Sequence, residues 1–318
     1  MISLKILVIH QGAIGDFILS LPALQTIKMA FPEGSFEMLG YPAILSLTGP
    51  CFACTIRSAD CAAVSTLYGD YENVSEPMRR YLTGFDRVFI FSAQEQSAFI
   101  KNVQRCHPAA VYIRTFSDSA QHVVDYQLAQ LAALGFATAE PVPRLCASCD
   151  DRSRAGAFLP QNTFGAAGPL LAVHPGSGGR HKCWPAASFH AVMRCLHAQL
   201  QASFMIVEGP AEEKTAGVFQ KSIAELPHMR IRNLELCLVA AILSQSALFI
   251  GNDSGITHMA AALCIPTIAV FGPTDPAVWA PRGKSVSIVR SCDPAGQWLW
   301  PEPEQVLASA RMLLAVDK

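Results

Sequence analysis

The chain has 318 residues, a formal net charge of −1, and 51% hydrophobic against 15% charged residues. That length exceeds most single cores, so two domains are the expectation, and the charge balance points away from a general nucleic-acid binder. The positive mean hydropathy fits sheets buried on both faces. No apolar run reaches the length of a membrane span, because the longest are broken by Ser244, Gln245 and Ser246 or by Pro266. The N-terminus lacks the form of a signal peptide: Lys5 sits inside an apolar run that leads straight into a Gly-containing loop. The eleven cysteines are scattered and odd in number. Their two CxxC pairs, Cys51/Cys54 and Cys146/Cys149, lie too far apart for a zinc ribbon. Free thiols in a reducing cytoplasm are the expected state.

Leu4–Ile9 is a short β-branched strand that opens into His10-Gln11-Gly12-Ala13-Ile14-Gly15-Asp16, and a helix follows from Phe17 to Phe31. This strand, turn and helix is not the dinucleotide fingerprint, because its two glycines are spaced GxxG and the acid lies inside the loop. Asp16 is thereby placed at a helix N-terminus at the mouth of a parallel sheet. It is either a helix cap or a general base.

Ser35–Leu39 is the next strand, Tyr41–Tyr68 a helix-and-strand unit with loops, and Tyr68–Arg80 polar and irregular. Phe85–Phe91 and Ala110–Arg114 read as strands. A helix begins at His122-Val123-Val124-Asp125 and ends near Gly135. His122 and Asp125 share a helical face, where they either face a cleft or cap and pair. Glu140–Gln161, punctuated by Pro141, Pro143 and Pro160, is the linker candidate, so the expected domains are residues 1–150 and 151–318.

The second half opens with a strand, Leu170–Val173, then His174-Pro175-Gly176-Ser177-Gly178-Gly179-Arg180-His181-Lys182-Cys183-Trp184-Pro185, then a helix over Ala186–Gln201. Glycines that let backbone N–H groups converge, with Arg180 and Lys182 nearby, suit a phosphate or diphosphate. The alternative is a flexible surface loop. Strand Phe204–Val207 ends at Glu208-Gly209-Pro210-Ala211-Glu212-Glu213. Glu212 and Glu213 either accept from ribose hydroxyls or sit in the first turn of a helix. A strand at Met229–Ile231 and a helix at Leu236–Ser244 lead to 248–276, LFIGNDSGITHMAAALCIPTIAVFGPTDP, which reads as strand, loop, helix, strand, loop. Asp253 or Ser254 can cap the helix, Gly255 admits close approach of a ligand, and the helix start favours an anion. The tail helix, Pro303–Leu314, is amphipathic and a candidate to pack back on the first half.

Both halves are α/β units with polar loops at strand ends. At this point the residues resemble a family. The 248–276 block, the HPGSGG loop with Lys182 and Trp184-Pro185, and the N-terminal GAIGDFILSLPAL together resemble glycosyltransferase family 9, the heptosyltransferase family of bacterial lipopolysaccharide synthesis. The match runs in the right order over nearly the whole chain. The resemblance implies a GT-B fold, two Rossmann-like domains facing each other across a cleft. The first would receive a lipid-linked or other glycan acceptor. The second would hold a nucleotide-diphosphate sugar, typically ADP-L-glycero-β-D-manno-heptose. Transfer would be inverting, with no metal or other cofactor. The setting implied is the cytoplasm, with peripheral contact at the inner membrane.

Carried over by position, Asp16 matches the catalytic base and Lys182 the lysine that stabilises the diphosphate leaving group. Ser177 and Gly178 would line the phosphates. Asp253, Ser254 and Gly255 match the block that holds diphosphate and donor sugar, with His258 one helical turn further. Glu212 or Glu213 would bind the nucleoside, and Gly15 and His122 are the acceptor-side candidates. Two features depart from the family: His10-Gln11 stands where a basic residue often precedes the GD loop, and residues 51–80 match nothing assignable. Arg57, Arg79, Arg80, Lys101 and Arg105 are the evident cations for a phosphorylated acceptor. The competing readings are a GT-B transferase or epimerase for another nucleotide sugar, and a nucleotide-sugar binding protein that has lost catalysis. A Rossmann dehydrogenase is disfavoured because GxGxxG is missing.

Overall fold

The apolar run KILVIH forms strand β1 (Lys5–His10), buried at every position after Lys5. The structure, a computed structural model, describes residues 3–94, 97–118, 120–162, 168–209, 219 and 221–315. The chain divides into two compact units, Met1–Val142 and Pro143–Lys318.

In the first unit β1 leads into helix α1 (Ile14–Ala30). Strands β2 (Ser35–Gly40) and β3 (Thr55–Ser58) follow, separated by short helical turns. Next come helix α2 (Glu76–Thr83), strand β4 (Arg87–Ser92), helix α3 (Ala98–Cys106), strand β5 (Val111–Arg114) and helix α4 (Val123–Ala133). The sheet runs β3-β2-β1-β4-β5, and every pair is parallel. β1 is central and covered on both faces, which is why its sequence is continuously apolar and not alternating. β3, at the edge, is largely exposed. Two helices depart from the sequence expectation. Glu76–Thr83 lies in the stretch expected to be irregular, and its Met78 and Leu82, one turn apart, are buried. α3 is not among the elements expected. Ser97 caps it, and Phe99, Ile100, Val103 and Cys106 form its buried stripe.

The second unit begins with helix α5 (Cys149–Asn162), so the expected linker is helical from Cys149 onward. Ser148 Oγ accepts from Asp151 N at 3.0 Å, and Asp150 and Asp151 lie in the first turn, where the helix dipole favours negative charge. The polar run thus marks a helix start. Strand β6 (Leu170–His174), helix α6 (Ala186–Leu200), strands β7 (Ser203–Glu208) and β8 (His228–Arg232), and helix α7 (Leu236–Leu243) follow. α5 packs on α7. Strand β9 (Leu248–Asn252), helix α8 (Gly255–Ala262), strands β10 (Thr267–Val270) and β11 (Val286–Val289), a small hairpin of β12 (Ser291–Cys292) and β13 (Trp298–Leu299), and helix α9 (Pro303–Ala315) complete the unit. Its sheet runs β11-β10-β9-β6-β7-β8, again parallel throughout. α9 packs on α6 and on β9–β11, and its Val306, Leu307, Ala310 and Leu313 join the core of this second unit.

Each sheet changes direction of winding at its first strand. β1 has β2 on one side and β4 on the other; β6 has β7 on one side and β9 on the other. Open parallel sheets bind ligands outside the carboxyl ends of the strands at such switch points. No helix among the described residues is long and apolar enough to cross a membrane.

Gly40 pairs with His10 across β1 and β2, and a Cβ there would stand 2.0 Å from the His10 carbonyl oxygen. The backbones must separate to admit it. Gly40→Ala is expected to destabilise the protein by about 2–3 kcal/mol or more, seen in urea melts. Gly69→Ala, where an added Cβ meets nothing within 4 Å, is expected to stay within about 0.5 kcal/mol of wild type.

Candidate active site

The loop after β6 and the loop after β9 meet at the second unit's switch point. Asn252, the last residue of β9, is fully buried. Its Nδ2 donates to the carbonyls of Pro175 (2.8 Å) and Gly176 (3.2 Å). Its Oδ1 accepts from Trp184 N at 2.9 Å. One amide therefore ties both ends of the 174–185 loop to the end of β9. Trp184 is buried, and its indole N–H donates to the Pro301 carbonyl at 2.9 Å. That anchors the loop just before α6.

Asp253 comes next. Its Oδ2 accepts from Lys182 Nζ at 2.9 Å and from Thr274 Oγ1 at 2.7 Å, and its backbone carbonyl accepts from Ser177 Oγ at 2.7 Å. The carboxylate is therefore compensated. Lys182 is 31% exposed at the side chain against 8% for Asp253, so the ammonium remains reachable from solvent while held by a buried acid. Ser254, and not Asp253, caps α8, its Oγ accepting from Thr257 N at 3.3 Å. Gly255 is the first residue of α8. The opening N–H groups of a helix have no intrahelical partner, and the helix dipole makes that end attractive to an anion. Gly178 is exposed, and an added Cβ there would meet nothing within 4 Å. Its smallness is not demanded by the protein around it and leaves the backbone open to a ligand. His258 is buried within α8.

The structure thus brings together Ser177, Lys182, Asp253 and Ser254, with Gly178, Gly255 and His258 on the same two loop-and-helix segments. Glu212 and Glu213 lie outside the described residues. Glu208, at the end of β7, is gripped by Arg230 of β8 at 2.6 and 3.1 Å. Asn252 and Thr274 are absent from the set of sequence-predicted site residues. Both stand in the GNDSG and FGPTDP runs, but their roles depend on partners far along the chain.

In the first unit the turn after β1 is built around His10, which is buried and wedged between Phe17 (5.1 Å) and Phe91 (5.8 Å). Gly12 N donates to His10 Nδ1 at 3.2 Å. That leaves the proton on Nε2, which meets Ser20 Oγ at 3.2 Å, and Ser20 Oγ donates to the Asp16 carbonyl at 2.8 Å. Burial holds the His10 imidazole at about 4, well below its ordinary 6.5, in keeping with this neutral ring. A Cβ at Gly12 would lie 2.8 Å from the His10 ring and 3.0 Å from Asp16 Cβ, so only glycine lets the turn close. Asp16 occupies the third helical position of α1, and its Oδ2 accepts from Ala13 N at a long 3.3 Å. The side chain is partly exposed, as is Gly15 beside it. Asp16 therefore serves as a cap and still presents its carboxylate at the sheet's carboxyl edge. His122 is buried and caps α4, its Nδ1 accepting from Val124 N at 3.2 Å, with Asp125 in the first turn.

Two outcomes follow from this geometry. Asn252→Ala strands the Trp184 N–H and two loop carbonyls in a buried site, so it is expected to destabilise the protein by about 2–4 kcal/mol in chemical denaturation. His10 has a folded value below its unfolded one, so its neutral ring contributes fully above about pH 6.5. That contribution is lost as pH falls through 6.5 toward 4, at about 1.4 kcal/mol per pH. His10→Gln is expected to shrink the stability difference between pH 7 and pH 5 by about 2 kcal/mol, measured by urea melts at both pH values.

The sequence model of glycosyltransferase family 9 (heptosyltransferase) matches residues 92–298. Lipopolysaccharide heptosyltransferase 3 of Escherichia coli K12 is 23% identical over 309 residues, covering 86% of this chain and 83% of that protein. Among solved structures, the glycosyl transferase family 9 protein of Veillonella parvula superposes with a TM-score of 0.81 at 18% identity, covering 99% of each chain. The Escherichia coli ADP-heptose lps heptosyltransferase II does so with a TM-score of 0.75 at 18% identity, covering 98% of this chain and 99% of that one. An Escherichia coli heptosyltransferase solved with ADP has a TM-score of 0.62 at 20% identity, with 98% and 99% covered. The fold is accordingly GT-B, and this chain belongs to glycosyltransferase family 9, the heptosyltransferase family.

Proposed function

We propose that this glycosyltransferase moves a heptose or closely related sugar from an ADP-sugar to a hydroxyl of a lipopolysaccharide-type or other glycan acceptor, with inversion and without a metal. The observation that carries the reading is the assembly of Ser177, Lys182, Asp253 and Thr274 beside the start of α8. It combines a reachable cation, a helix N-terminus and a compensated acid, which suits a sugar diphosphate. The ADP held by one structural neighbour and the ADP-heptose in the name of another support that choice of donor.

The chemistry assigns each group a step. Asp16 takes the proton of the acceptor hydroxyl as that oxygen attacks the anomeric carbon from the face opposite the diphosphate. The bond from the anomeric carbon to the diphosphate oxygen breaks, and negative charge grows on the leaving diphosphate. Lys182 transfers its ammonium from Asp253 to that charge, and the dipole of α8 adds to it. Ser177 and the Gly178 backbone border the phosphates. Asp253 keeps the Thr274 hydroxyl and accepts from a hydroxyl of the donor sugar. Glu212 or Glu213 takes the nucleoside. A lipid-linked acceptor would be met by peripheral contact at the cytoplasmic face of the inner membrane, with Gly15 and His122 on the acceptor side.

Calorimetry with ADP, UDP, GDP and CMP, with and without magnesium, tests the donor. ADP is expected to bind best and independently of magnesium, and Lys182→Ala to weaken it by about 10- to 100-fold. Preference for UDP would move the function to another nucleotide sugar, and no nucleotide binding would favour a protein that has lost catalysis. Asp16→Asn is expected to keep ADP affinity and to lower transfer by about a thousandfold. Undiminished transfer by that variant would remove Asp16 from the mechanism.

A further inference from the structure

The carboxyl ends of β1, β2 and β3 enclose a cavity of about 450 Å³ lined by Gln11, Tyr41, Asp60, Cys61, Ser65 and Tyr68. Apart from Gln11 and Tyr41, its lining comes from the 51–80 stretch, which carries no assignable family motif. Gln11 belongs to the same turn that leads into Asp16, so the cavity adjoins the turn bearing the proposed base. Tyr68 is fixed there twice: its hydroxyl donates to Gln11 Oε1 at 2.6 Å, and its ring rests on Phe99 at 4.9 Å. Tyr68 is still 55% exposed and Tyr41 41% exposed as whole residues, and both line the cavity. The Asp60 carboxylate makes no hydrogen bond or ion pair among the described residues.

Among the described residues no cation lines this cavity, Lys101 of α3 included, and the arginines of the unit are engaged elsewhere. Arg57 is paired with Glu37 at 2.7 Å and lies over the Tyr81 ring. Arg79 donates to the carbonyls of Val74 and Tyr71 and stacks on Tyr71, whose ring Arg105 also covers. Arg80 pairs with Glu76, and Arg114 with Asp118. A phosphate or carboxylate entering the cavity would meet the Asp60 charge with nothing to offset it, and like charges brought together in a partly desolvated site repel. A neutral sugar meets the opposite conditions: a carboxylate accepts from hydroxyls, and tyrosine faces cover the ring's apolar side. The volume lies in the range of small-molecule sites and holds roughly two sugar rings.

We propose that this cavity receives the terminal sugar of the acceptor as an uncharged polyol, with Asp60 accepting from its hydroxyls and Tyr41 and Tyr68 lying against its ring. The inference rests on the transfer reading for the use made of that sugar, but not for its binding. It makes Asp60 the residue that selects against phosphorylated and carboxylated acceptors.

Cys61 lies in the cavity wall and is exposed, and Cys146 is an exposed thiol in the other unit. Alkylation of both by iodoacetamide, followed peptide by peptide in the full-length protein, reads occupancy without reference to turnover. The probes are a neutral oligosaccharide ending in an uncharged heptose or hexose, the same oligosaccharide carrying a phosphate on that terminal sugar, and a sialylated, carboxylate-bearing oligosaccharide. The neutral probe is expected to slow Cys61 alkylation by about fivefold or more at saturation while leaving Cys146 unchanged, and the two anionic probes to leave both unchanged. Asp60→Lys is expected to invert the order, so that the phosphorylated probe protects. Equal or better protection of the wild type by an anionic probe, an unaltered ranking in Asp60→Lys, or no protection by any probe overturns the proposal. ADP calorimetry on the same sample separates the two readings. Loss of ADP binding counts against the transfer function, whereas intact ADP binding with an unprotected Cys61 counts against the acceptor pocket alone.

Discussion

The hydrogen bonds of Asn252 hold the candidate site of the second unit together. β6 and β9 are neighbours in the sheet, but the loops that leave them have no ladder to bind them together. A buried amide with one acceptor and two donors supplies what the ladder no longer can. Because Asn252 closes β9, Asp253 and Ser254 emerge in a fixed direction, one to face Lys182 and the other to begin α8. The reach of Lys182 is set by the same contact, since Trp184, two residues on, is fastened to Asn252 through its backbone and to Pro301 through its ring nitrogen. The charged pair is therefore preorganised by neutral, buried hydrogen bonds. That arrangement is what electrostatic stabilisation of a leaving group requires, because little has to reorganise at the moment of reaction.

Both units repeat one solution to the end of a central strand. β1 finishes at His10 and β6 at His174, and each ring is buried and hydrogen-bonded at the mouth of the sheet. A histidine in that position can tie a turn through either ring nitrogen while its body fills the space under the loop. In the first unit the ring must remain neutral, because Gly12 N–H needs Nδ1 as an acceptor. The same neutrality makes the turn that carries Asp16 sensitive to acid. Structure and function share that vulnerability: protonation of a supporting residue would loosen the turn that presents the carboxylate.

Much of this was legible in the residues. The strands nearest the switch points are short apolar runs: β1, β6 and β9 end in His or Asn, and β10 runs on through Phe271 into Gly272. A strand buried on both faces leaves its pattern in consecutive positions. The polar segments that carry Asp16, Lys182, Asp253 and Ser254 were legible as segments because they follow such runs. α3 and α5 were not. The buried stripe of α3 is split among Phe99, Ile100, Val103 and Cys106 between polar residues, and α5 opens on a run of charges that also suits a linker. Asn252 and Thr274 were hidden for a different reason. Their chemistry consists of bonds to Pro175, Trp184 and Asp253, and no local pattern announces a partner that only the fold brings near. The choice between Asp253 and Ser254 as the cap of α8 was open for the same reason, and the Lys182 and Thr274 contacts to Asp253 decide it.

The family's sequence model spans residues 92–298, whereas the likeness to a family structure covers 99% of the chain, so β1, β2, β3 and the cavity at their ends share the family's fold but lie outside the stretch its sequence model matches. A physical reason for such a division lies in what each part must recognise. A diphosphate presents the same charges whatever sugar it carries, so backbone N–H groups, a lysine and a helix start suffice, and these are set by the geometry of a parallel sheet. An acceptor sugar presents hydroxyls and substituents that differ from one glycan to the next. The cavity proposed for it draws mostly on the short helical turns and loops between Tyr41 and Asn73, where the backbone is held by local hydrogen bonds and side chains can differ without disturbing the central strands. Asp60 is an exposed side chain in the loop between β3 and the turn that begins at Ala62. A single charge there can invert the preference for anionic acceptors while β1, α1 and the position of Asp16 remain as they are.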